Sequence, residues 1–376
     1  MKINLINFKL TKGKTMKKII AMLSVVLFSF GVAKAGELTV TGSAIASYAI
    51  SSSDGTAAAN NLEKGLGIEN EFTLGASGEL DNGYTWKYAV DIDAVESSAT
   101  NDDAQLSVTT PQGTIAIMLG EGALGVDNAA SQSVISRPSD TSYAEGMYDT
   151  YDIDGYDNVQ YHTPAGLLPY GISFKVGYAP SGQASQANDY QDAGSVNSQT
   201  STVDTTATGG IAVTVKSASA THYQIKASEI PFIDGLTVGA DYFEVSGGNG
   251  SIQQKPESGA YYLTYAAGPA VIGYSKNFAA FPVNVTTSDT LESVENTKFS
   301  VGVNVNDNLS ISYENEKSQP QTTRNATQYE MESTGIQAAY TMGGMTLGVV
   351  MNDHENATYT QNKDVKDTVF SVEMAF

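Results

Sequence analysis

Between residues 122 and 156 the chain carries six carboxylates, Asp127, Asp140, Glu145, Asp149, Asp152 and Asp154, against a single guanidinium, Arg137. Such a row suits two kinds of chemistry. Within "DIDGYDN", residues 152 to 158, Asp152, Asp154 and Asp157 surround a glycine and offer hard oxygen ligands to a divalent cation. The spacing lacks the twelve-residue loop with a terminal bidentate glutamate, so it supports weak divalent cation binding at most, and solvated loop carboxylates describe it more simply. If instead the row lines a narrow aqueous passage, its fixed charge sorts ions by sign.

Bond-breaking chemistry has less to work with. Cysteine is absent, and the three histidines, His162, His222 and His354, are scattered without metal spacing. Nothing resembles the strained serine turn of a hydrolase. No catalytic, cofactor-binding or metal-ligating residue is assigned, and the chain is expected not to be an enzyme.

The elements that position the acids follow from the rest of the chain. Its first 35 residues hold seven lysines and no acid, and they contain the run "IIAMLSVVLFSFGVA" followed by "AKA". This is the pattern of a secretory signal peptide, with cleavage expected after Ala35 and residues 36 to 376 forming one domain. Met16 reads as the start used in the cell, which makes residues 1 to 15 a misassigned extension. The apolar run is shorter than the roughly 20 residues of a spanning helix.

Without that leader the 376 residues and 20 basic side chains become 341 and 13, against 41 acids, a net charge of −28. So acidic a chain is a poor partner for nucleic acid and favours the attraction of cations. An exported chain with no disulfide framework needs another source of stability, and a closed hydrogen-bonded barrel supplies one.

The pattern that recurs is alternation with a period of two, in runs of about ten residues, as in transmembrane β-barrels. In residues 65 to 93, Leu66, Ile68, Phe72 and Leu74 fall on one side, with Glu69, Glu71 and Thr73 on the other. After a turn at Asp81, Asn82 and Gly83, the residues Tyr84, Trp86, Tyr88, Val90 and Ile92 continue the apolar side, while Lys87, Asp91 and Asp93 continue the polar one.

Read throughout, the alternation predicts an all-β, 16-stranded antiparallel barrel. The expected strands are 37–50, 64–80, 83–95, 102–110, 113–121, 157–163, 170–179 and 209–230, then 235–246, 258–267, 270–280, 296–306, 308–317, 330–342, 344–353 and 366–376. Short and long connections alternate, which places both termini at the short-turn, periplasmic end. All ten prolines fall in turns, in loops or at their edges. Two segments are ambiguous: 209–230 reads as one strand or as a strand plus loop, and Phe243 and Val245 break the parity of 235–246, where a bulge is expected.

"ELTVTGSAIASYAI", "ASGELDNGYTWKYAVDID", "NVQYHTPAGLLPYGISFKVGYAP" and the terminal Phe376 together resemble the trimeric Gram-negative porins, the general diffusion porins of proteobacteria, over essentially the whole mature chain. The resemblance implies an outer-membrane homotrimer, a third loop folded inward, and passive diffusion of small hydrophilic solutes and ions. It also implies that Phe376 is the signal read by the barrel assembly machinery. Asp140, Glu145, Asp149, Asp152 and Asp154 would then form an acidic constriction. By strand parity Lys87, Lys175, Lys216 and Lys226 face inward as a basic wall. The family's arginine ladder is missing, since Arg137 and Arg324 both sit in loops, and the expected preference is for cations. Other readings are a solute-specific channel using Tyr143, Tyr148, Tyr151 and Tyr156, and a structural or adhesive barrel acting through loops such as 181–210.

Overall fold

Successive side chains of a strand point to opposite faces, so a chain with one apolar and one polar parity closes most readily into a cylinder with distinct inner and outer surfaces. A computed structural model of the chain describes residues 37–54, 62–95, 98–140, 147–180, 200–203, 213–216, 219–246, 252–281, 283–284, 291–323 and 328–376. The signal peptide expected at 1–35 lies outside these residues, as do Glu145 and Tyr143.

The first strands are β1 (Glu37–Asp54), β2 (Leu62–Glu79), β3 (Thr85–Val95), β4 (Ser98–Thr110) and β5 (Gly113–Leu119). Beyond the acidic segment come β6 (Asn158–His162), β7 (Ser173–Ala179), β8 (Thr200–Val203), β9 (Val213–Lys216), β10 (Ser219–Ala227) and β11 (Leu236–Ser246). Then follow β12 (Ile252–Gln254), β13 (Glu257–Ala267), β14 (Ala270–Ala280), β15 (Val283–Asn284) and β16 (Leu291–Asn304). The chain ends with β17 (Leu309–Thr322), β18 (Met331–Met342), β19 (Met345–Glu355) and β20 (Asp364–Ala375). Sixteen of these close a barrel, leaving β8 with β9 and β12 with β15 as separate two-stranded pairs. The barrel closes where β1 pairs antiparallel with β20, from Ser43 opposite Ala375 to Asp54 opposite Asp364.

The two surfaces are plainest on β17. Ile311 and Tyr313 are exposed, whereas Ser312, Glu314, Glu316 and Ser318 are buried. Large apolar side chains such as Leu66, Ile68, Leu106, Ile225, Phe299 and Met351 are exposed all round the barrel. In water such an apolar belt is unfavourable; against hydrocarbon it is the favoured arrangement. The chain terminus belongs to the wall. Gly42 and Phe376 exchange two backbone hydrogen bonds of 3.0 Å each. The Phe376 ring lies 5.5 Å from that of Phe72.

Three expectations need correction. Residues 209–230 are not one strand: β9 pairs with β8 outside the wall, and only β10 joins the barrel. Lys216 therefore ends a separate hairpin and is not a wall residue. No bulge interrupts β11, which pairs in continuous register with β10 and β13. Phe243 and Val245 instead turn apolar side chains to the inner face, where they are buried. Pro320 lies inside β17, opposite Val294. It is tolerated because the register of β17 with β18 ends at Ser318 opposite Met331, so Pro320 is paired on one side only.

Candidate functional site

The segment joining β5 to β6 leaves the wall through Gly120 and Gly122, whose positive φ of 65° and 88° suits residues without a Cβ. Its backbone is then held by wall side chains of the polar parity. Val126 N–H donates to Asp241 at 2.6 Å, Val134 N–H to Ser312 at 3.0 Å, and Ser139 N–H to Glu316 at 3.0 Å. Ile135 N–H donates to Gln337 and Tyr151 N–H to Ser258, each at 3.0 Å. In the other direction, Ser275, Ser300 and Asn296 donate to the carbonyls of Asp127, Ala130 and Tyr148. A run of irregular backbone packed against a wall must find such partners. The contacts reach from β11 to β18, along the inner face.

Apolar contacts fix the far half of the segment. Leu124 and Ile153 pack with Ala179, Ala220, Phe243 and Val245 of the wall. Tyr151 and Tyr156 stack on Phe243 at 5.7 and 6.0 Å, and Tyr148 stacks on Tyr359 at 4.7 Å. Burial raises the Tyr148, Tyr151 and Tyr156 hydroxyls above the ordinary tyrosine range. These rings are thus engaged in holding the segment to the wall.

The charges form a network in which two cations are shared among four carboxylates. Arg137 meets Asp140 at 2.5 Å, Asp149 at 3.6 Å and Glu316 at 3.7 Å. Lys298, on β16, lies 3.5 Å from Asp127, 3.6 Å from Asp149 and 3.9 Å from Glu316. It also donates to Asn128 at 2.5 Å. Burial first, and then the neighbouring Asp149, push the Asp127 carboxyl up to about 8. Burial also acts on Asp149, but Lys298, a hydrogen bond from Asp127 and Arg137 outweigh it and hold this carboxyl below the usual range. Of the two, Asp127 is the carboxyl pushed up and Asp149 the one held down.

The expected constriction residues separate into distinct roles. Asp140 and Asp149 keep side chains 43% and 39% exposed while paired to Arg137. Asp152 does not present a free carboxylate. It accepts from the backbone N–H groups of Leu124, Gly125 and Ile153 at 2.9, 2.5 and 2.5 Å and meets His222 Nδ1 at 3.0 Å. Burial opposes its ionisation, yet His222 and these N–H groups hold it below the usual range. Asp154 is raised to about 6 by burial and by the Asp152 charge. Asn158, the last residue of the supposed ligand run, spends its amide on the carbonyls of Glu121, Ile153 and Tyr156.

Of the expected basic wall, Lys87 on β3 and Lys226 on β10 are exposed, and Lys175 on β7 is half-buried, opposite Gln224 of β10. Sequence reasoning missed Lys298, Glu314, Glu316, Asp241 and His222. All five lie on the polar parity of their strands, which is the signal that would have raised them. It also missed the approach of Asp91, Asp103 and Glu121, whose carboxylate oxygens lie within 4.8 Å of one another.

His354 joins Ser333 and Asp367 across β18, β19 and β20, at 2.9 Å to each. These are the residue types of an acyl-transfer triad, but all three are buried and the group lies within the wall. It ties three strands together and offers a substrate no approach.

Comparison with protein-family models and with curated proteins finds no match. Among solved structures, the anion-selective porin from Comamonas acidovorans is similar with a TM-score of 0.62 and 11% identity, over 90% of this chain and 100% of that one. The Vibrio cholerae outer membrane protein OmpT, lacking its loop L8, gives a TM-score of 0.61 and 12% identity, over 91% and 100%. Salmonella typhi OmpF, in complex with daunomycin, gives 0.58 and 15% identity, over 91% and 98%. The chain has the closed barrel fold of these proteins.

Proposed function

We propose that this chain is an outer-membrane porin, a water-filled channel through which small hydrophilic solutes and ions diffuse passively, with cations favoured. The observation that carries this reading is the docking of residues 120–140 and 147–157 on the polar face of a closed barrel whose other face is apolar. A segment held there narrows the lumen without needing to leave it. The likeness to solved porins supports the reading, and a trimer form of Vibrio cholerae OmpT supports assembly as a homotrimer.

The sign of selection follows from the lining residues, since a fold shared with an anion-selective porin favours neither sign. Glu69 and Glu71 are exposed on the polar parity of β2, and the carboxylate oxygens of Asp91, Asp103 and Glu121 lie within 4.8 Å of one another, with Lys87 the exposed base of β3. A lumen with this excess concentrates cations. A solute-specific channel using the loop tyrosines draws less support, because the rings of Tyr148, Tyr151 and Tyr156 are committed to Tyr359 and Phe243.

The test is single-channel recording of the purified protein in a planar bilayer, with the reversal potential read in a potassium chloride gradient. Stepwise conductance with a cation-sided reversal potential is expected. Absence of conductance rejects the channel, and an anion-sided potential rejects the sign.

A further inference from the structure

Resting on the channel reading, we propose that Lys298 and Arg137 set the strength of charge selection in the lumen by cancelling loop carboxylates that would otherwise face the solute path. Among the described residues, Asp140 and Asp149 are the expected constriction acids that are exposed, and both are held by Arg137, at 2.5 and 3.6 Å. Lys298 reaches Asp149 from the wall side at 3.6 Å while also facing Asp127 and Glu316. Glu314, the next inward carboxylate of β17, is occupied separately by the hydroxyls of Ser131 and Ser133.

The placement of the lysine gives it this role. Its side chain is 4% exposed, so its charge is spent on the surrounding carboxylates and is not screened by bulk water. An ion passing Asp149 meets a carboxylate with an ammonium and a guanidinium behind it, and the fields largely offset. The six acids between residues 122 and 156 therefore overstate the charge the lumen presents. The loop holds a reserve of negative charge that the two cations keep masked.

Reversal potentials at pH 8 in dilute potassium chloride test the assignment, using the full chain with Lys298→Met, Arg137→Gln, and Lys298→Met combined with Asp149→Asn. Each single variant is expected to raise the cation-to-anion permeability ratio by about threefold, the effect of one unmasked charge a few ångströms from the ion path. The combined variant is expected to return toward the parent ratio. In 1 M salt, where screening acts within about 3 Å, the differences should collapse. Unchanged ratios in both single variants, or differences that persist undiminished in 1 M salt, overturn the proposal, the second because it means a displaced loop. If Lys298→Met fails to fold, Arg137→Gln decides alone. A parent protein that does not conduct rejects the channel reading itself, which keeps the two failures apart.

Discussion

The Cα of Gly273, on β14, backs directly onto the carbonyl of Ala130, and a Cβ at this position would overlap that oxygen. The same carbonyl accepts from Ser300 Oγ at 2.6 Å on the neighbouring strand β16. The wall thus leaves room for the docked segment where a side chain is missing and grips it where a hydroxyl is present. Gly335 repeats the relationship on β18, with a Cβ there 2.8 Å from Pro138 Cγ.

Replacing Gly273 by valine should push residues 128–132 off the wall. Backbone atoms cannot be accommodated by rotation of a side chain, so the segment must shift as a unit. Single-channel conductance is expected to change by more than the noise between parent molecules, accompanied by lower heat stability of the folded barrel. Conductance and melting both equal to the parent would show that the segment is not held at this point.

Much of this architecture was legible in the alternation. The expected strand 270–280 coincides with β14, and the short turns fell where Gly83, Gly268 and Gly343 adopt positive φ. The path of the docked segment was not legible, because its partners are far away in sequence. Ser300 and Ala130 are 170 residues apart, and nothing local to either announces the other. Lys298 and Glu316 lie on the polar parity of their strands, but that parity alone does not say that Asp149 would come to them. The apparent parity break at Phe243 has the same origin: an inward apolar residue is anomalous until Leu124 and Ile153 are seen to cover it. Lys216 was misplaced because both halves of 209–230 alternate equally well.

Phe243→Ala should loosen the far half of the segment. The ring is fully buried and stacks on both Tyr151 and Tyr156, so its removal leaves a cavity under the loop. Loss of a buried aromatic ring costs about 3–5 kcal/mol. The expected readout is faster protease cleavage between residues 148 and 157, with the barrel itself intact. Cleavage at the parent rate would place the anchoring elsewhere.

Deleting Phe376 should lower the yield of assembled barrel. The residue closes the β1 edge through its two bonds to Gly42 and covers Phe72 with its ring. Phe376→Tyr keeps the ring and the backbone bonds and is expected to assemble normally, whereas Phe376→Gly keeps only the bonds. Heat-modifiable migration of membrane fractions distinguishes the folded form. Equal assembly of the glycine variant would deny the ring a role.

Docking of the acidic segment should weaken as pH rises. Asp127 is held at about 8 in the docked state against an ordinary value of 3.8, so the docked state binds the extra proton between these values. A carboxyl raised in this way contributes stability that is complete below about 3.8 and is lost as pH climbs through about 8. Above that, Asp127 ionises beside Asp149, with Lys298 and Arg137 shared between them and Glu316. Protease accessibility of residues 126–140, measured from pH 6 to pH 9, is expected to increase up to about pH 8 and then to level off. Asp127→Asn keeps the shape, removes the titration, and should flatten the profile. A profile that is already flat in the parent protein, or one that survives Asp127→Asn unchanged, would assign the proton to another group.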